Sequence, residues 1–115
     1  MEKFMYLFVE NGLSDSQPSP EEMQASMQKW FAWIEKLQKD DRYISGEPLL
    51  PSGKIVKGSQ KVVTDGPFTE SKELVSGFFI VKAKDINEAT EMAKDCPIFE
   101  TDGAVAVRPV QKIDM

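Results

Sequence analysis

The segment that opens Ser19-Pro20-Glu21-Glu22 constrains this chain more than any other, because its chemistry is that of a helix start. Ser19 supplies an N-cap oxygen, Pro20 at the first helical position lacks only an N–H that would go unpaired anyway, and Glu22 can reach back to close a capping box. From there Met23, Met27, Trp30, Ile34 and Leu37 recur at spacings of three and four, one apolar stripe that Phe31 and Trp33 widen. The pattern runs out between Lys39 and Asp41, which predicts a helix of about 20 residues. A long helix with a single apolar stripe needs a surface to cover, and the segments around it supply a sheet.

Phe4-Met5-Tyr6-Leu7-Phe8-Val9 is short, apolar and aromatic, the pattern of a strand buried on both faces, and Glu10 to Pro18 is a polar loop. Arg42 to Leu50 begins as a strand and is interrupted by Gly46 and Pro48; lacking an N–H, Pro48 belongs at an edge or in a connection. Lys54-Ile55-Val56 and Lys61-Val62-Val63 flank Gly58-Ser59 as a hairpin. Gly77 to Ala83 reads as a central strand. Asp85 then caps a second helix with Glu88 at N3 and Ile86, Ala89, Ala93 and Cys96 on its buried side, and that helix must stop before Pro97. Ile98 to Gly103 is a loop, and Ala104 to Val110 the last strand. The order is βαββαβ with an inserted β-hairpin. It predicts a single α+β domain over residues 1–115, with an antiparallel sheet and both helices on one face. The other face of that sheet would stay apolar and bare, so a homodimer with two sheets face to face is expected.

Composition removes several classes of function. A net charge of −5 with lysines interleaved among acids is no nucleic-acid surface. The chain has no histidine, which excludes Ser-His and Cys-His nucleophile systems, the commonest general base and most zinc sites. Cys96 is the only cysteine, so no intramolecular disulfide forms, and a reducing, cytoplasmic setting is expected. Its place at a helix C-terminus, where the dipole opposes a thiolate, makes it a buried structural thiol. No apolar run approaches a membrane span, and Met1-Glu2-Lys3 leads directly into a strand, so neither a membrane segment nor a signal peptide is expected.

Thr64-Asp65-Gly66-Pro67-Phe68-Thr69-Glu70-Ser71-Lys72-Glu73, followed by Gly77-Phe78, closely resembles the DGPF-domain branch of the YCII-related proteins. Ser19 to Met23 leading to Trp33 is similar to that branch as well, as are Glu88-Ala89, Ala93, Cys96-Pro97 and Val107-Arg108-Pro109. The resemblance implies a ferredoxin-like fold assembled as a dimeric α+β barrel. About activity it implies less: most of the branch consists of small bacterial proteins of unassigned function, some similar to proteins associated with extracytoplasmic-function sigma factors. Other YCII-related proteins resemble a dehydrochlorinase or use a His–Asp pair. Without histidine that pair cannot be carried over: the helix offers Trp30, Phe31 and Trp33 in place of an imidazole, which leaves Asp40 and Asp41 without an inherited role.

The stretch Val63 to Phe79 admits two readings. In one, Asp65-Gly66-Pro67 is a turn, Thr69 caps one helical turn, and Glu70, Lys72 and Glu73 are solvated. In the other it is a pocket mouth. Asp65 and Glu70 are then the catalytic acid/base candidates of a cofactor-free lyase or isomerase, while Phe68, Lys72 and Glu73 bind ligand. Trp33 could line that pocket or a dimer contact, and Arg108 could take a ligand carboxylate or form a structural salt bridge. The carboxylate spacing matches no metal loop, and no metal or cofactor is expected. The function this supports is small-molecule binding in a helix–sheet cleft; the alternatives are a non-catalytic interaction or sensing module, or a loop that only closes the barrel.

Overall fold

A computed structural model of the chain describes residues 1–11, 19–50, 52–65 and 73–113. The elements run β1 (Glu2–Asn11), α1 (Pro20–Lys39), β2 (Tyr43–Pro48), β3 (Lys54–Lys57), β4 (Val62–Asp65), β5 (Glu73–Ala83), α2 (Ile86–Ala93), a 3-10 turn (Pro97–Thr101) and β6 (Ala104–Pro109). Four strands form one sheet in the order β2-β5-β1-β6, all neighbours antiparallel. Strands β1 and β2 are therefore parallel to each other across β5, and β5 and β6 parallel across β1. Parallel strands need a long crossover, and α1 and α2 are those crossovers. Two split βαβ units interleaved in this way are the ferredoxin-like α+β arrangement that the resemblance implied, built on the antiparallel sheet the element order predicted.

The helix starts are built as their sequences dictate. The Ser19 hydroxyl accepts from Glu22 N at 3.1 Å and the Glu22 carboxylate accepts from Ser19 N at 3.3 Å, completing the capping box. At α2 the Asp85 carboxylate accepts from Glu88 N at 2.8 Å. The far end of α1 closes in a Schellman-type turn. Arg42 N donates to Leu37 O at 2.8 Å and Asp41 N to Gln38 O at 3.0 Å, with Asp41 at φ 58° where glycine is usual.

One face of the sheet is covered by the helices. Phe4, Tyr6 and Phe8 of β1 and Phe79, Val81 and Ala83 of β5 are buried there with Trp33, Leu37, Ala89, Ala93, Cys96 and Ile98. An aromatic cluster joins the layers. Phe8 meets Trp30 edge-on at 4.9 Å and Phe79 at 4.8 Å, while Trp33 lies over Phe79 at 5.3 Å. The Tyr6 hydroxyl donates to Ala89 O at 2.5 Å, and its burial pushes the phenol pKa above its usual value, with Cys96 and Glu88 adding to the shift. Gly46 on β2 explains the gap in that strand's pattern: a Cβ there would run into the Phe79 ring.

Several sequence expectations change in the structure. The first strand is not buried on both faces: Phe4, Tyr6 and Phe8 point into the core, whereas Met5, Leu7 and Val9 are half-buried on the bare side. The α1 stripe is engaged only in its second half. Met23, Met27 and Phe31 are exposed, and Pro20 to Lys29 stand clear of the sheet on all sides, because no described strand lies beneath them. Ile86, expected inside, is also exposed. Strand β5 begins at Glu73, earlier than the Gly77 the apolar pattern suggested. The Ile98 region is a 3-10 turn rather than a plain loop. Residues 54–65 do form a hairpin, with Gly58 at φ 80° and Lys61 N donating to Gly58 O at 3.1 Å. That hairpin is a sheet of its own. Among the described residues no helix is long and apolar enough to cross a membrane. The turn predicted at Gly66-Pro67 and the cap predicted at Thr69 lie outside the described residues.

Replacing Trp33 by alanine is expected to cost about 3–5 kcal/mol of stability in urea unfolding. Met23→Ala or Met27→Ala should change stability by less than about 0.5 kcal/mol. A large loss from Met27→Ala would return the first half of α1 to the core.

Candidate functional site

Among the described residues a groove of about 470 Å³ lies between the second half of α1, the start of β2 and α2. Trp33, Leu37 and Met92 give it an apolar floor, and its rim carries Lys36, Asp40, Arg42, Glu88, Glu91 and Asp95. Local sequence explains the convergence. Lys36, Leu37 and Asp40 fall on one side of the last turns of α1, three and four apart. The Schellman turn reverses the chain so that Arg42 comes back beneath that side. Residues 88, 91, 92 and 95 form the matching stripe of α2 and its C-terminal turn.

The ion pairs differ across the groove. Arg42 is bonded to the Glu88 carboxylate with both side chains largely shielded, and Glu88 Oε1 also accepts from Lys84 N at 3.0 Å. Lys36 and Asp95 pair at 3.0 Å with side chains 63% and 56% exposed, and Glu91 pairs with Lys94 at 2.7 Å. Both cations of the lining are thus engaged with carboxylates of the lining, while Asp40 carries no ion pair among the described residues. The groove is negative in balance. Among the described residues no three acidic or thiol side chains gather as metal ligands. The chemistry available is ion pairing and hydrophobic contact.

Of the side chains singled out from sequence, Trp33 reaches this groove, and it does so as a buried core residue that stacks over Tyr6 and Phe79. Asp65 ends β4 on the hairpin, 90% exposed and paired with Lys54 at 3.3 Å. Arg108 is exposed on β6 opposite Met5, hence on the bare face of the sheet rather than the helical one. Glu73 opens β5. Phe68, Glu70 and Lys72 lie outside the described residues. Sequence reasoning passed over Arg42, Glu88, Glu91 and Asp95. The available signal was topological: a βαββαβ order puts the end of α1 beside α2, so charged residues at those places must meet.

Cys96 is buried beside the groove without lining it, and burial pushes its thiol up to about 12, against a smaller lowering by the Ile98 backbone N–H. It is a structural thiol, as expected from its position.

A family model described as the YCII-related domain matches residues 4–114. An uncharacterized protein of Rhizobium meliloti (strain 1021) is 28% identical over 80 residues, covering 60% of this chain and 64% of that protein. The match thus spans a little under two thirds of that relative's length.

A double-mutant cycle on Arg42→Ala and Glu88→Ala is expected to give a coupling of about 1–2 kcal/mol, against less than about 0.5 kcal/mol for Lys36 and Asp95. Equal couplings would mean the Arg42 pair is as solvated as its neighbour. The thiol is expected to resist Ellman's reagent in native protein and to react fully in denaturant. Its folded pKa is raised, so its contribution to stability is present below about pH 9 and lost as pH rises toward 12. Cys96→Ala should flatten that alkaline fall in the thermal midpoint.

Proposed function

Because the chain belongs to the YCII-related family, we propose that it is a homodimeric small-molecule binding protein of the DGPF branch whose ligand sits in the α1–α2 groove. The observation that carries this reading is the groove's lining: an apolar floor of Trp33, Leu37 and Met92 under a rim of four carboxylates and two already paired cations. Such a lining suits a ligand with an apolar body and a cationic or zwitterionic head, and the volume is within the range of small-molecule sites. A basic ligand would gain from Asp40 directly and from Glu91 by displacing the exposed Lys94, whereas an anionic one would first have to displace Glu88 from Arg42 or Asp95 from Lys36.

The catalytic form of the proposal uses Asp65 and Glu70 as acid and base in a cofactor-free lyase or isomerase step, with Phe68, Lys72 and Glu73 around the ligand; Arg108, on the bare face of the sheet, stands away from the groove. The exposure of Asp65 and its pairing with Lys54 favour the binding form. The dimer is supported by the bare sheet face, where Met5, Leu7, Val9, Phe78 and Ile80 are half-buried with no layer over them among the described residues. The lone buried thiol agrees with a cytoplasmic setting.

Thermal-shift measurements with tyramine and other small amines are expected to raise the melting temperature, with benzoate and size-matched acids having no effect. Asp40→Asn combined with Glu91→Gln should abolish the shift. A response to the acids alone would reverse the charge assignment, and silence from both classes would remove the groove from the function.

A further inference from the structure

Resting on the face-to-face dimer proposed above, we infer that the β3–β4 hairpin is an arm that clasps the second copy of this chain. The hairpin pairs with no strand of the main sheet, and among the described residues no other element packs against it. Of its strand residues Ile55 alone is half-buried, while Val56, Val62 and Val63 are 65%, 54% and 57% exposed. A two-stranded hairpin alone in water is at best marginally stable. A solvated connection has no use for four β-branched apolar side chains, whereas a strand ribbon that meets another surface does.

The arm's position and charge indicate which surface. It follows β2, the edge strand of the four-stranded sheet, and so leaves the domain at the sheet's margin, where it can reach a second copy packed against the bare face. The chain as a whole carries a net charge of −5, yet residues 54–65 hold Lys54, Lys57 and Lys61 against Asp65 alone. Lys54 is tied to Asp65, and Lys57 and Lys61 have no ion-pair partner among the described residues. A basic, apolar arm on an acidic body is attracted to another copy of that body. Polyanions, which the body repels, are the poorer fit. The shape agrees: the radius of gyration is 16.0 Å, against about 13 Å for a compact domain of this length, and the molecule is only 19 Å thick. Part of the chain stands away from its own core.

The test is amide hydrogen exchange of residues 54–65 across a dilution series, with sedimentation run on the same samples. A clasping arm is expected to be protected where the protein is a dimer and to exchange near the unfolded rate once dilution yields monomer. Fast exchange in samples that sediment as dimer would overturn the arm while leaving the dimer standing. Protection that is unchanged in the monomer would also overturn it, since the hairpin would then be stable alone. Monomer at every concentration would overturn both the dimer and the arm. A double variant, Val56→Asp with Val63→Asp, alters only exposed positions. It should raise the dimer dissociation constant about tenfold or more, and an unchanged constant contradicts the inference.

Discussion

The cluster of Phe8, Trp30, Trp33 and Phe79 is the contact on which the rest of this molecule depends. It fixes the second half of α1 on β1 and β5, and each aromatic pair contributes about 0.5–1.5 kcal/mol beyond the area it buries. Gly46 is a consequence of it, since the Phe79 ring occupies the space a side chain on β2 would need. So is the groove. Once Trp33 and Leu37 are seated, the end of α1 is held beside α2, and the turn through Asp41 delivers Arg42 to Glu88.

Local chemistry was legible in the sequence, and what depends on distance was not. Ser19, Pro20 and Glu22 announce a helix start because a cap is made by residues three apart, and Asp85 with Glu88 does the same. The antiparallel sheet with its helices on one face followed from the alternation of strands and helices, whereas the order of strands within the sheet came only with the structure. Met23 and Met27 misled because periodicity reports an apolar stripe without reporting where the sheet beneath it ends. Ile86 misled at the first position of α2 for the same reason. The groove was hidden because its lining comes from the end of α1, the start of β2 and α2, and no single stretch carries its signature. Asp65, which drew attention as part of a turn, stands on an exposed hairpin, and nothing local to Thr64-Asp65 distinguishes an exposed strand end from a pocket wall.

The sheet has two unlike faces, and this asymmetry governs how the chain can act. On the helical face aromatic rings are buried and charged residues gather at the rim of the groove. On the other, Met5, Leu7, Val9, Phe78 and Ile80 form a half-buried apolar strip with Arg108 at its margin. A chain of 115 residues folding in two layers cannot cover both faces of a four-stranded sheet with two helices. In the proposed face-to-face dimer a second copy would make up that shortage, with the groove left on the outside of the assembly and the hairpins at its edges.

Sedimentation equilibrium of the unsubstituted chain at micromolar concentration, compared with Phe78→Glu, tests this account most directly. The account predicts twice the 13.0 kDa chain mass for the unsubstituted protein and the single-chain mass for the variant, with both folded by circular dichroism. A 13.0 kDa species for the unsubstituted protein, or a dimer that Phe78→Glu leaves intact, would contradict it.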